Sequence, residues 1–294
     1  MKEREQSYPT KKTRIKYETW LRYKKGSIHV IYYPQDINNR PEPLLLCEMS
    51  LPKLVYGDNI HMIPTPSSAI EKAHQIIGQY SHIPRVDLNQ GILYRMDLCY
   101  NFQVGKYVPE WIRQLYKLEY PRRKTKPYYP SQGVQYYSRK ASLSFYGKEA
   151  ETRDSDAYGI LRMEASWRDK NQIGELVGKP LATIGDFTSE VAFSLLNAEL
   201  EKLGIKDRAP VDSLATLRIL QGKYRPEQGV RLFGFLMARQ IASSKEMKAM
   251  GMTKQTISRN QKEIREAGLS MSIAKNEVAL PKLVITPRSI VERD

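Results

Sequence analysis

The segment SLSFYGKEAE, residues 142–151, sets Tyr146, Lys148, Glu149 and Glu151 close together directly after an aromatic run. Elsewhere YRMDL spaces Arg95 and Asp97 two apart, LRMEA does the same for Arg162 and Glu164, and CEMS for Glu48 and Ser50. Side chains two apart on a strand share a face, so a strand reading points Tyr146 with Lys148, Arg95 with Asp97, and Arg162 with Glu164. Ionised groups among apolar neighbours are costly unless they are paired or hold a metal, which leaves two explanations. In the first, these are ordinary ion pairs on a hydrated sheet face and Tyr146 packs. In the second, Asp97 and Glu164, joined by Glu48, meet around a divalent cation. A tyrosine oxygen then attacks a phosphodiester in line while Lys148 stabilises the charge gathering on phosphate. The product is a protein–DNA phosphotyrosine and a free 3′-OH. A phenol of pKa about 10 leaves readily enough to keep that bond reversible.

Positioning such groups requires a folded core, and the 294-residue chain, 41% hydrophobic and 10% aromatic, has the composition for one. Its formal charge of +15 and pI near 9.6 point to a polyanionic partner, with nucleic acid ahead of an anionic membrane surface. No apolar run reaches the roughly 18 residues of a membrane span and no signal peptide opens the chain, so a cytosolic protein is expected. Cys47 and Cys99 sit in apolar segments and read as core thiols, too few for a zinc or disulfide framework. The four histidines lack the spacing of a metal site, so carboxylates must hold any metal, which suits Mg²⁺ or Mn²⁺.

The first 26 residues read as a basic arm, mobile in its first part. Strands are expected at 27–33, 44–50, 91–102, 133–147 (bent or bulged) and 158–168. Helices are expected at 69–80, capped by Ser68 and Glu71, and at 109–118 and 187–204. His74 falls on the apolar stripe of its helix and reads as a core histidine. The Pro-broken loop PRRKTKPYYPSQ brings Arg122, Arg123 and Lys124 beside two tyrosines, suited either to nucleic-acid contact or to plain solvation. Strands and helices within one unit indicate an α+β fold with a mostly antiparallel sheet, forming an endonuclease-like domain over 1–207.

Beyond a linker at 204–212 the chain reads as helical, a second domain over 208–294. Ser243 and Glu246 form a capping box, Gly251 turns the chain, Thr253 caps the next helix and Gly268 ends it. Ile257 and Ile264 face inward there, while Lys254, Gln255, Ser258, Arg259 and Lys262 face out. These are residue types that read base edges and phosphates, consistent with a helix-turn-helix or with a helical pair bearing a solvated basic face. Residues 272–286 read as a small hairpin wing.

Four segments in order resemble the gene II/X replication initiators of filamentous phages and their plasmid relatives: EMSLPKLVYGDNI (48–60), YRMDLCYNF (94–102), SFYGKEAE (144–151) and GILRMEASWR (159–168). The resemblance spans about 44–187 and implies rolling-circle initiation. One strand is nicked at an origin, the 5′ end is joined to a tyrosine, the 3′-OH is left for a host polymerase working with a helicase, and the ends are later rejoined. Carried over, Tyr146 is the nucleophile with Lys148 beside it. Asp97 and Glu164 are inferred as metal ligands, Glu48 is a further one, and Arg95, Arg162 and Glu151 are supporting residues. The resemblance places the protein in the cytoplasm of a bacterial host. The His-hydrophobic-His pair of better-known rolling-circle endonucleases is absent. Tyr136 or Tyr137 is the candidate second nucleophile. A non-enzymatic helix-turn-helix regulator, or a metal nuclease using water, explains parts of the same pattern.

Overall fold

The computed structural model describes residues 2–6, 14–23, 26–33, 43–63, 66–80, 83, 86–129, 132–205, 213–271 and 280–285. The chain forms two compact units, α+β as expected. The first spans the residues up to Leu93 with Leu181–Ser189, and the second Tyr94–Pro180 with Glu190–Ser289.

In the first unit β1 (Lys2–Gln6), β2 (Arg14–Tyr23), β3 (Gly26–Tyr33) and β4 (Leu44–Met49) form an antiparallel sheet in sequence order. The expected basic arm is therefore largely strand. Strand alternation in β2 buries Leu21 between exposed Trp20 and Arg22, and the charged residues interspersed along the strand mask its alternation in the sequence. Leu21, Ile28 and Val30 pack with Leu54 of α1 (Leu51–Val55) and with Ile70, Ala73 and Ile77 of α2 (Pro66–Gly78). Helix α2 starts at Pro66, ahead of the expected Ser68 cap. His74 takes a structural role, its Nε2 accepting the Leu88 N–H at 2.8 Å. Ser50 is the residue before α1 and lies outside β4. The bridge between Ile92 and Thr183 ties the 181–189 segment into this unit.

The second unit is built on a five-stranded antiparallel sheet in the order β5-β9-β8-β7-β6. The strands are β5 (Met96–Gln103), β6 (Lys124–Tyr128), β7 (Gly133–Tyr137), β8 (Ala141–Gly147) and β9 (Ile160–Trp167). The bent strand expected over 133–147 is a hairpin, because Ser138 N–H bonds the Ala141 carbonyl and reverses the chain. The loop expected around 120–132 contains β6, where Pro127 is tolerated because the strand lies at the sheet edge.

One face of this sheet is apolar. Leu143 and Phe145 of β8, Val134 and Tyr136 of β7, and Leu161 and Met163 of β9 are buried there, and α3 (Val108–Tyr116) packs against β8, β7 and β6. Tyr136 donates its hydroxyl to the Leu115 carbonyl of α3. Gly133 is required by close packing, since a Cβ would come within 2.8 Å of the Phe145 carbonyl oxygen and 2.9 Å of the Tyr146 Cβ. Gly133→Ala is expected to cost about 1–3 kcal/mol through overpacking, read as a lowered Tm.

The remaining helices are α4 (Lys148–Thr152), α5 (Lys170–Leu176), α6 (Ser189–Leu203), α7 (Ser213–Lys223), α8 (Pro226–Arg239), α9 (Ser244–Ala249) and α10 (Lys254–Glu266). Gly204 stops α6 at φ 73°. The expected domain boundary at 207/208 lies in residues 206–212, outside the described residues. Side-chain bonds join the C-terminal helices to the sheet portion. Glu119 accepts from Ser244 N–H at 2.9 Å and pairs with Arg239 at 3.3 Å, and Trp111 Nε1 donates to the Pro281 carbonyl at 3.2 Å. The expected wing lies mainly in 272–279, outside the described residues. No described helix is long and apolar enough to cross a membrane.

Candidate functional site

The sheet face opposite α3 is polar, and the strand register assigns its members. Tyr146 lies opposite Arg162, Ser144 opposite Glu164 and Ser142 opposite Ser166 on β9. Across β9, Cys99 lies opposite Glu164 and Asp97 opposite Ser166, so Asp97 and Glu164 are diagonal neighbours on adjacent strands. Gln135 extends the face onto β7 and donates to Ser144 Oγ at 2.9 Å.

At the end of β8 the Tyr146 hydroxyl donates to Glu164 Oε2 at 3.1 Å. The Tyr146 ring is 2% exposed and packs with Tyr128 and Tyr129, centroids 5.6 and 5.0 Å away. Tyr129, with φ 42°, occupies the left-handed region uncommon for a bulky residue. In the sequence these two tyrosines belong to the basic, Pro-broken loop and carry no spacing that ties them to Tyr146. The signal that assigns them to the site is the β6–β7 register, which pairs Tyr128 with Gly133, itself opposite Tyr146.

Lys148 departs from the strand expectation. Strand β8 ends at Gly147 and Lys148 begins α4, a short helix of helix-forming residues that ends at Arg153, φ 56°. The helix brings Lys148 to Glu151, with which it forms an ion pair, the ammonium fully buried. Arg162, 4% exposed, donates to Cys99 Sγ at 2.8 Å. Cys99 is therefore a half-buried thiol on the polar face rather than a core thiol. Cys47 packs against the first unit's core, where burial raises its thiol to about 11.

These groups sense one another. Burial, then the Glu164 charge, pushes the Tyr146 phenol far above its ordinary value, against the Arg162 charge. Burial, then the Asp97 charge, raises the Glu164 carboxyl, opposed by the Tyr146 hydrogen bond and by Arg162. Burial, then Arg162, lowers the Lys148 ammonium, opposed by Glu151. The Tyr146 phenol is thus held on a carboxylate of raised basicity, with the buried Arg162 opposite it on β9, which places a proton acceptor and a cation beside the same oxygen.

Asp97 is exposed and pairs at 2.8 Å with Arg95, which lies just before β5 and not on a strand running from 91 as expected. Glu48 lies on β4 of the first unit, opposite His29, and is not part of the polar face of the five-stranded sheet. Among the described residues no group of three or more His, Cys, Asp or Glu is arranged to hold a metal ion. The carboxylates on the polar face are the Asp97 and Glu164 pair. Tyr136 is excluded as a second nucleophile, since strand alternation buries it on the α3 face. Tyr137 shares the polar face but pairs with Ser142, four residues along β8 from Tyr146, and Lys126 Nζ lies 4.8 Å from its ring centroid.

Of the expected nucleic-acid contacts, Arg122 and Lys124 are exposed, but Arg123 is not available. It is buried in an ion pair with Glu199 at 3.0 Å and lies 4.0 Å from the Tyr120 ring centroid. The buried Glu199 of α6, unreadable from helical periodicity, draws it inward. On α10 the sequence reading holds. Lys254, Gln255, Ser258, Arg259 and Lys262 are exposed, while Ile257, Asn260 and Ile264 are buried. Ser243 with Glu246 forms the capping box, Gly251 turns at φ 93°, and Thr253 Oγ1 accepts the Thr256 N–H at 3.1 Å.

No protein-family model matches the chain, and no curated protein or solved structure matches it either. The chemistry open to the site therefore rests on its own geometry.

Proposed function

We propose that the protein is a rolling-circle replication initiator, a DNA-nicking endonuclease and strand transferase that cuts one origin strand through a tyrosine nucleophile. The observation that carries this reading is the Tyr146 hydroxyl resting on Glu164 with Arg162 and the Lys148/Glu151 pair beside it. Glu164 takes the phenolic proton as the Tyr146 oxygen bonds to phosphorus. The bond from phosphorus to the 3′ oxygen breaks, and that oxygen takes a proton to become the free 3′-OH. Arg162 and Lys148 stabilise the charge on the phosphate. Glu151 and Arg95 hold Lys148 and Asp97 in place. The reverse sequence, with a new 3′-OH as nucleophile, joins ends and frees Tyr146.

A divalent cation fits the residues present. Asp97 and the second oxygen of Glu164 would hold Mg²⁺ or Mn²⁺, ions that bind through one or two carboxylates while keeping water and phosphate oxygens. The charge of Asp97 already burdens Glu164, and a cation there would relieve it. When bound, it would polarise the phosphodiester.

The exposed polar face of α10 supports duplex binding by the α9–α10 pair in the manner of a helix-turn-helix at the origin. Host helicase and polymerase are the partners this activity implies, in the cytoplasm of a bacterial host. Lys254→Ala and Arg259→Ala are each expected to weaken duplex binding and to lower the slope of log affinity against log salt by about 1, without changing Tm. The same α10 face favours a second reading, a helix-turn-helix regulator without enzymatic activity. Incubation with an end-labelled single-stranded origin oligonucleotide and Mn²⁺ separates the two. A covalent band on a denaturing gel is expected of the initiator, and binding without a band of the regulator.

A further inference from the structure

A cleft of about 850 Å³ opens in the second unit between α3 and the junction of β8 with α4. Its lining includes Lys106, Arg113 and Lys117, with the rings of Tyr116 and Tyr158. Those two residues are 49% and 61% exposed, which leaves their rings open to a ligand. Lys106, Arg113 and Lys117 outnumber the lining carboxylate Glu149, and even with Arg113 paired to Glu110 the balance is positive, so the cleft favours an anion. Gly147 lines it too, and this residue stands directly between Tyr146 and Lys148 in the chain. Strand alternation puts Tyr146 on the polar face and Gly147 on the α3 side. Gly147 therefore brings the cleft to within one residue, along the chain, of both Tyr146 and Lys148.

We infer that this cleft is a binding subsite for single-stranded DNA, taking the nucleotides that flank the phosphate presented to Tyr146. The chemistry is that of single-strand recognition: cations track the backbone while exposed aromatic rings stack on unpaired bases. Lys106 and Lys117 meet phosphates, and Arg113 does so from α3 while tethered by Glu110. Tyr116 and Tyr158 supply the stacking faces. A strand rounding the end of β8 passes from the cleft to the polar face, so the subsite sets which phosphate reaches Tyr146. The inference rests on the reading of the chain as acting on DNA strands, and it adds the path of the strand.

The test is fluorescence anisotropy of the full-length protein with a labelled oligothymidylate of about 15 nucleotides, a length within the range of single-strand sites. Tyr116→Ala/Tyr158→Ala is expected to weaken binding about tenfold or more, and Tyr116→Phe/Tyr158→Phe to bind as wild type. Affinity for duplex should change far less, because paired bases offer no open face. Lys106→Glu/Lys117→Glu provides a second route should the alanine pair lower Tm, and it too must weaken binding. Unchanged oligothymidylate affinity in a folded alanine or glutamate variant would overturn the inference, as would equal loss in the phenylalanine variant. The outcome is separable from the nickase reading. A wild type that binds through the cleft yet forms no covalent adduct retains the subsite and loses the tyrosine chemistry.

Discussion

Tyr146→Phe is expected to abolish the covalent capture of DNA that the proposed reaction requires, with strand cleavage falling by at least about four orders of magnitude, as for removal of a nucleophile. The substitution deletes one oxygen and keeps the ring that packs with Tyr128 and Tyr129. The hydrogen bond lost is the one to Glu164, so the fold should persist and single-strand binding should stay near wild type. Loss of chemistry with retention of binding and Tm separates a reacting phenol from a packed one. Tyr128 and Tyr129 lie close to the same site, and a residual adduct on either would show as a fainter band in the variant.

The second large effect concerns Glu164. Glu164→Gln keeps an oxygen to receive the Tyr146 hydroxyl but cannot take its proton, so cleavage should fall about 10²–10⁴-fold. The pH profile gives an independent readout. Glu164 must be ionised to accept a proton, and burial followed by the Asp97 charge raises its carboxyl. Activity should therefore rise with pH along a limb set by this carboxyl, and Glu164→Gln should lose that limb. The stability sign runs opposite. A carboxyl whose folded pKa is raised favours the fold when protonated, and that contribution is lost as pH climbs from the unfolded value through the folded one. At neutral pH Glu164→Gln should thus leave Tm unchanged or raised, so lost cleavage cannot be assigned to unfolding.

The parts of the site that local spacing controls were legible in the sequence. Arg95 and Asp97 pair as their spacing indicated, and the capped α9–α10 pair with its exposed cations follows from caps and helical period. Other parts depend on contacts distant along the chain. The inward turn of Arg123 is decided by Glu199 on α6, and the place of Tyr128 beside Tyr146 by strand register. Lys148 was misplaced because the β-like residues before it end at Gly147, where a run of helix formers takes over. The ion pair with Glu151 exists because of that helix, at a spacing of three that no strand would bring together. The N-terminal strands are hard to read from sequence because charged residues interrupt apolar positions such as the buried Leu21 of β2.

The reading of Tyr146 as nucleophile is tested most directly by mapping the bond. Wild-type protein is incubated with a single-stranded origin oligonucleotide and Mn²⁺, with an EDTA control. The denatured adduct is digested with protease, and the peptide carrying nucleotide is sequenced by mass spectrometry. The account predicts a metal-dependent adduct through a 5′-phosphate on the peptide bearing Tyr146, with a free 3′-OH on the released fragment. Cleaved DNA with a free 5′-phosphate and no peptide attached would contradict it and make water the nucleophile.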